Sequence, residues 1–243
     1  YELKSRYACK NADRIIAISE RTKLDIVELY QISEKKIDIV YQGCEEAFKT
    51  TASSSKIEEV RNKYQLPSQF ILSVGTIEER KNLNLVIEAL ANAATAYPLV
   101  VVGKATPYLE KVKLSIVKHH LQHSVIFLHN VTFEDLPAVY QSASLFVYPS
   151  FYEGFGIPVI EALYSGIPVI AATGSCLEEA GGPDSIYVGP DDITGLTAAI
   201  RKVLQDPAIA EEMSSKGLNY VQRFNNNALS TQMMECYLKV LAS

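Results

Sequence analysis

The chain has 243 residues, 48% of them hydrophobic and 21% charged, with a formal net charge of −5. That length buries a full core as one large domain or two small ones, and the acidic balance argues against a nucleic-acid partner, which needs a basic face. No apolar run approaches the ~20 residues of a membrane span, no signal-peptide pattern is visible, and Cys9, Cys44, Cys176 and Cys236 form no C-x-x-C pair, which fits reduced cytoplasmic thiols.

In chain order the first predicted elements are two βα-like units over residues 1–45, with strands at "RIIAIS" (14–19) and "KIDIVY" (36–41). Because the chain opens on Tyr1 inside a polar helical pattern, a fragment of a longer protein is expected. The serine-rich stretch "TTASSSK" (50–56) reads as a linker, and "SSKIEEVRNKYQL" (54–66) as a surface helix. Apolar runs then recur at "FILSVG" (70–75), "LVVVG" (99–103), "VIFLH" (125–129), "LFVYPS" (145–150), "PVIAA" (168–172) and "SIYVG" (185–189). Between them lie amphipathic stretches such as "NLNLVIEALANAATAY" (82–97) and "TFEDLPAVYQSA" (132–143). In the latter, Thr132 and Asp135 have capping-box spacing. After Gly189 the strand signal stops, and helices are predicted over 192–205, 207–223 and 226–241. Continuous apolar strands alternating with helices predict an α/β fold, a Rossmann-like doubly wound parallel sheet covered on both faces.

Ligands of such sheets bind beyond the carboxyl ends of the strands. The loops of interest therefore follow Gly75, Gly103, His129, Ser150 and Ala172. After Gly75 and Thr76 the loop carries Arg80 and Lys81 beside a predicted helix start. Two cations there oppose the helix dipole, which makes sense if an anion shares the spot; the plainer alternative is a solvated pair balanced by Glu78 and Glu79. The stretch "SFYEGFGIPVIEALYSG" places Glu153 before a helix predicted to begin near Ile157, because Pro158 suits a first turn, with Gly166 as its stop. Glu161 falls near the end of that first turn.

Gly154 and Gly156 let the backbone approach a ligand, and the first helix amides are free donors for phosphate oxygens. Carboxylates repel phosphates but accept two hydrogen bonds from vicinal hydroxyls. A diphosphate with a ribose on one side and a sugar on the other satisfies every group, which describes a nucleotide sugar. Glu153 and Glu161 as a dipole-favoured pair without ligand, or as the acid and nucleophile of a glycosidase, are the competing readings. His119, His120 and His123 lack an evident fourth metal ligand, and no G-x-G-x-x-G or G-x-x-x-x-G-K-[ST] is present.

"SVGTIEERKNLNLVIEAL", "VYQSASLFVYPS", "SFYEGFGIPVIEALYSGIPVIAA" and "SCLEEAGG" resemble the retaining family-four, or group 1, glycosyltransferases of the two-Rossmann-domain type, over roughly residues 65–240. The resemblance implies that 1–48 is the remnant of an acceptor-binding amino-terminal domain with its hinge. Residues 49–243 would then be the nucleotide-sugar-binding domain. It implies catalytic roles for Glu153, which would contact the sugar, and for Arg80 and Lys81, which would neutralise the leaving diphosphate. It further implies substrate contacts from Gly75, Thr76, Gly154, Phe155, Gly156 and Ile157, ribose binding by Glu161, a base bordered by Asn130 and Val131, and Glu178 lining the far side. The last helix would return toward the amino-terminal domain. No cofactor or metal is expected, since the donor is itself a substrate.

Many relatives carry Arg where Thr76 stands, so the clamp would rest on Arg80 and Lys81. The form G-T-x-E-x-R-K-N resembles mannosyltransferases using GDP-mannose in polysaccharide biosynthesis. A cytoplasmic protein acting on a glycan or lipid-linked acceptor follows, with peripheral association of the full-length protein at the inner membrane face. A non-catalytic nucleotide-sugar-binding domain, or a same-fold epimerase or synthase, would share these motifs.

Overall fold

The computed structural model describes residues 2–241. Helix α1 (Glu2–Asn11), strand β1 (Ile15–Ala17), helix α2 (Glu20–Tyr30) and strand β2 (Ile37–Ile39) form a small unit with a parallel two-stranded sheet. Residues 40–53 lead from it, through a 3-10 turn at Glu46–Lys49, to α3 (Ser54–Tyr64). Then follow β3 (Ile71–Val74), α4 (Leu83–Ala93), β4 (Leu99–Val102), α5 (Tyr108–Lys118), β5 (Val125–Leu128), α6 (Leu136–Gln141) and β6 (Leu145–Tyr148). The chain continues through α7 (Ile157–Tyr164), β7 (Val169–Ala172), α8 (Leu177–Gly181), β8 (Ile186–Val188), α9 (Ile193–Gln205), α10 (Pro207–Val221) and α11 (Asn226–Leu241).

Every predicted strand is present. The larger sheet is parallel throughout, in the order β5-β4-β3-β6-β7-β8. Strands β4, β6 and β7 are buried along their whole length, which is why their sequences are continuous apolar runs instead of alternating ones. One face packs Leu72, Val100, Phe146 and Val169 against α3, α6 and α7; the other packs Ile71, Val101, Val147 and Ile170 against α4, α5 and α9. Chain order reverses between β3 and β6, so their loops open into one crevice, the expected ligand position of such a sheet. No helix among the described residues is long and apolar enough to cross a membrane.

Two local expectations are corrected. Helix α4 stops at Ala93 and not at 97, because Ala94 adopts a left-handed conformation (φ 49°). The Thr132/Asp135 capping box does not form. The Asp135 carboxylate instead receives Lys56 Nζ and Lys63 Nζ, each at 2.7 Å, and the Tyr64 hydroxyl at 2.8 Å, tying α3 to α6. The bonds from Lys56 and Lys63 hold that carboxyl far below the usual range. A depressed folded pKa contributes stability above the ordinary aspartate value of ~4, and that stability is lost as the pH falls below it. Asp135→Asn is therefore expected to lower Tm at pH 7 by ~3–6 °C, allowing for the partly exposed lysines, and to flatten the decline of Tm below pH ~4. Parallel melting curves of variant and wild type from pH 7 to 3 would refute this.

The last helix returns to the small unit, where Lys239 Nζ meets Asp38 at 2.9 Å. Between the units, Cys44 and Phe48 are buried in the core of the larger one.

Candidate functional site

The loop after β3 is held rigidly. Gly75 leaves the strand with φ 144°, its N–H donating to Val102 O at 2.9 Å, and Ile77 N–H donates to Lys104 O at 2.9 Å. Ile77 is buried at 1% exposure, which pins the loop's far side. A 3-10 turn, Glu79–Lys81, then presents Arg80 and Lys81, and Asn82 closes it with φ 56°. The Asn82 amide donates to Pro149 O at 3.1 Å and Pro190 O at 2.7 Å, while Phe151 N–H donates to Arg80 O at 2.9 Å. The loops after β3 and β6 are thus stitched together by backbone and buried amide bonds.

Glu153 sits where they meet. Its Oε1 receives Lys81 Nζ at 2.6 Å, the Ser150 hydroxyl at 2.6 Å and the Tyr148 hydroxyl at 3.0 Å, and its Oε2 lies 2.7 Å from Arg80 Nη1. Lys81 also donates to the Tyr148 oxygen and lies 4.8 Å from that ring's centroid. Arg80 reaches Tyr152 O at 2.6 Å and Glu78 at 2.7 Å. Burial alone would raise the Glu153 carboxyl; the bonds from Lys81, Ser150 and Arg80 outweigh it and hold the group below its ordinary value. Burial, then the charge of Glu153, pushes the Tyr148 phenol up, so it stays a proton donor. Gly75 and Thr76 line the crevice that Lys81 and Tyr148 also line.

Helix α7 starts at Ile157, as Pro158 predicts, with Gly156 before it at φ 119°. A Cβ on Gly156 would also come within 2.8 Å of Leu177 Cδ2, the movable end of a side chain, so the left-handed backbone is the stronger reason for glycine. The N–H groups of Gly154, Phe155, Gly156 and Ile157 have no hydrogen-bond partner among the described residues, which leaves donors at the helix start. The Phe155 side chain is structural: it is 2% exposed, stacks on Tyr41 at 5.2 Å and meets Phe224 edge-on at 5.3 Å. Phe151 and Tyr152 are exposed at the rim.

Glu161 belongs to a neighbouring cleft of about 330 Å³, shared with Ile157, Gly43, Cys44, Glu45, Glu46 and Asn226. Its Oε2 accepts from Tyr140 at 2.8 Å, and burial raises its carboxyl. Burial, reinforced by Glu161, pushes the Cys44 thiol up to about 12. Asn130 is exposed just beyond β5, and Val131 is half-buried against the α3–α6–α7 core. Glu178, at the start of α8, turns back onto its own loop, bonding the Thr173 hydroxyl and Gly174 N–H. Arg80, Lys81 and Glu153 are therefore in direct contact, while Glu161 and Glu178 bond other partners and Asn130 and Val131 lie on the loop beyond β5. No group of histidine, cysteine and carboxylate side chains suited to a metal occurs among the described residues, His119–His123 included.

Several participants were not read from the sequence. Tyr148 and Ser150 lie inside the quoted motif, and their place at the carboxyl end of β6 was the available signal. The small unit also reaches the site. Ser19 and Thr22 hydroxyls donate to Gly154 O at 2.8 and 3.1 Å, and the Tyr152 hydroxyl meets Asp25 at 2.5 Å. Glu179 accepts the first N–H groups of α2, those of Glu20 at 2.7 Å and Arg21 at 3.1 Å. These pairs are more than 125 residues apart, so nothing local announces them.

The family model described as "Glycosyl transferases group 1" matches residues 56–220. The O-antigen chain mannosyltransferase B of Escherichia coli is 30% identical over 93% of this chain and 61% of its own length. The O-antigen chain mannosyltransferase RfbU of Salmonella typhimurium is 30% identical over 90% and 58%. This chain thus spans about three-fifths of those relatives. Among solved structures, sucrose-phosphate synthase from Thermosynechococcus elongatus superposes with TM-score 0.86 at 25% identity, covering 99% of this chain and 61% of that one. Anabaena HepE in complex with UDP and glucose superposes with TM-score 0.89 at 21% identity, covering 98% and 66%, which establishes likeness of fold.

Proposed function

The chain belongs to the group 1 glycosyltransferases, and from that membership we propose that it is the donor-binding part of a retaining enzyme that moves a sugar, mannose favoured, from a nucleoside diphosphate sugar to a glycan or lipid-linked acceptor. The observation that carries this reading is the convergence of Arg80, Lys81 and Glu153 at the β3/β6 switch point, with Glu161 in the adjoining cleft. Two cations on a rigid turn, with unpaired amides at the start of α7, suit the charge that grows on a leaving diphosphate. The Glu161 carboxylate suits the ribose diol, and Glu153 the hydroxyls of the transferred sugar. Relatives named as O-antigen mannosyltransferases favour mannose, and a fold neighbour bound to UDP and glucose favours a nucleotide-sugar donor.

In this reading the leaving diphosphate assists deprotonation of the acceptor on the same face of the sugar, and no protein side chain acts as base. Arg80 and Lys81 do the neutralising that a metal would otherwise supply, so chelation should leave nucleotide binding unchanged. Residues 1–48 belong with the acceptor-side domain and hinge of a longer protein, and 49–243 with the donor domain. The full-length protein would work in the cytoplasm, peripherally at the membrane where its acceptor is lipid-linked.

The direct test is calorimetry with a panel of GDP-, UDP- and ADP-sugars, followed by assay of the full-length protein with the preferred donor. Absence of binding by every member would overturn the reading. A residue-level test uses Glu161→Gln. It should weaken nucleoside diphosphate binding about tenfold and leave inorganic pyrophosphate binding unchanged, because only the ribose contact is lost. Burial raises the Glu161 carboxyl, so the stability linked to its protonated form is full below the ordinary value of ~4.3 and lost as the pH rises through the folded one. The amide should therefore raise Tm near pH 7 and lose that advantage in acid. Equal losses for nucleotide and pyrophosphate would place Glu161 elsewhere.

A further inference from the structure

We propose, resting on the reading above, that the Glu153 carboxylate is an internal stand-in for the donor's diphosphate, which must displace it from Lys81 and Arg80. The two oxygens of Glu153 hold these two cations at 2.6 and 2.7 Å, and the carboxylate side chain is only 12% exposed. A carboxylate and a phosphate present the same pair of anionic oxygens to such donors. As the side chains stand, the positive charges of Arg80 and Lys81 are matched by the negative charges of Glu153 and Glu78. An incoming diphosphate would meet a balanced cluster and, at its centre, a like charge. It gains the two cations only as Glu153 leaves them.

The seat that Glu153 would vacate is well built. Tyr148, 2% exposed, donates to Oε1 and accepts from Lys81. It remains in place to hold the ammonium when the carboxylate swings away. The Ser150 hydroxyl, at 2.6 Å, is a second fixed donor to the same oxygen. Once released, Glu153 has acceptor capacity for hydroxyls, which a sugar attached to the diphosphate supplies and a bare nucleoside diphosphate does not. The exchange therefore favours the sugar-bearing donor over the spent nucleotide. After transfer, return of Glu153 to Lys81 and Arg80 would expel the product.

The experiment is calorimetry of inorganic pyrophosphate and of GDP with this chain. Glu153→Gln should bind pyrophosphate about tenfold tighter than wild type, since its amide no longer competes for the cations. The gain should vanish in Lys81→Met/Glu153→Gln. Ser150→Ala, which loosens the carboxylate's seat and also removes the hydroxyl's 3.0 Å contact with Arg80 O, should tighten pyrophosphate about two- to threefold, and it carries the test if Glu153→Gln does not fold. Wild-type binding with no gain in a folded Glu153→Gln, or none in Ser150→Ala where the first variant fails to fold, overturns this inference alone. No binding of pyrophosphate or GDP by any of these proteins overturns it together with the proposed function.

Discussion

Replacing Lys81 with methionine is expected to weaken nucleoside diphosphate binding about 100-fold, or ~2.7 kcal/mol. Two effects add. The diphosphate loses a charge-assisted donor, and the Glu153 carboxylate, 12% exposed, loses the closer of its two cations. The remaining negative charge then faces the phosphates with less to offset it. Arg80 provides the contrast. Its side chain is 41% exposed and shared with Glu78, so Arg80→Ala should cost nearer tenfold. Salt separates the two, because screening acts on exposed charges far more than on enclosed ones. Raising the ionic strength from ~0.05 to ~0.5 M should shrink the Arg80 effect and leave most of the Lys81 effect. Calorimetry at the two salt concentrations measures both. Wild-type affinity in Lys81→Met would remove the cation clamp from the account.

Gly103→Ala is expected to destabilise the protein by about 3 kcal/mol, lowering Tm by ~6–12 °C. The cause is not backbone strain but proximity. A Cβ on Gly103 would lie 1.9 Å from Gly75 O and 2.7 Å from Gly75 C, and both are main-chain atoms with no rotamer to escape through. Strands β3 and β4 end side by side here, with Gly75 N–H bonded to Val102 O and Gly103 N–H to Leu128 O. Relief requires the Gly75–Thr76 segment to move, and with it the turn that carries Arg80 and Lys81. Whatever fraction folds should therefore bind nucleotide poorly. Gly166→Ala is the control: φ is 70° but nothing lies within 4 Å of the added Cβ, so the cost should be the ~1–2 kcal/mol of a left-handed conformation, with binding intact. Thermal melts and calorimetry on the two variants decide it. Gly103→Ala melting with wild type would show that the strand ends are not so closely apposed.

The sequence by itself determined the elements. A strand buried on both faces must be apolar at every position, and "LVVV" and "LFVY" announce that without reference to any neighbour. The start of α7 was equally local, because proline at the second helical position with glycine before it suits few other conformations. Charge complementarity already joined the 80–81 and 153–161 loops around one nucleotide sugar, and the family resemblance added a role for each residue.

The tertiary structure decided what those side chains do to one another. Lys81 and Glu153 are 72 residues apart and meet only because β3 and β6 are neighbours in the sheet, a pairing that hydrophobic periodicity does not encode. Asp135 had the spacing of a cap but was taken by Lys56 and Lys63, because two ammonium groups outcompete a backbone amide once α3 packs on α6. The Tyr148 ring is buried in the core, and only the folded end of β6 shows its hydroxyl between an ammonium and a carboxylate. Local pattern fixes which face a residue belongs to, whereas charge pairing depends on what the fold brings within about 3 Å, and that depends on strand order.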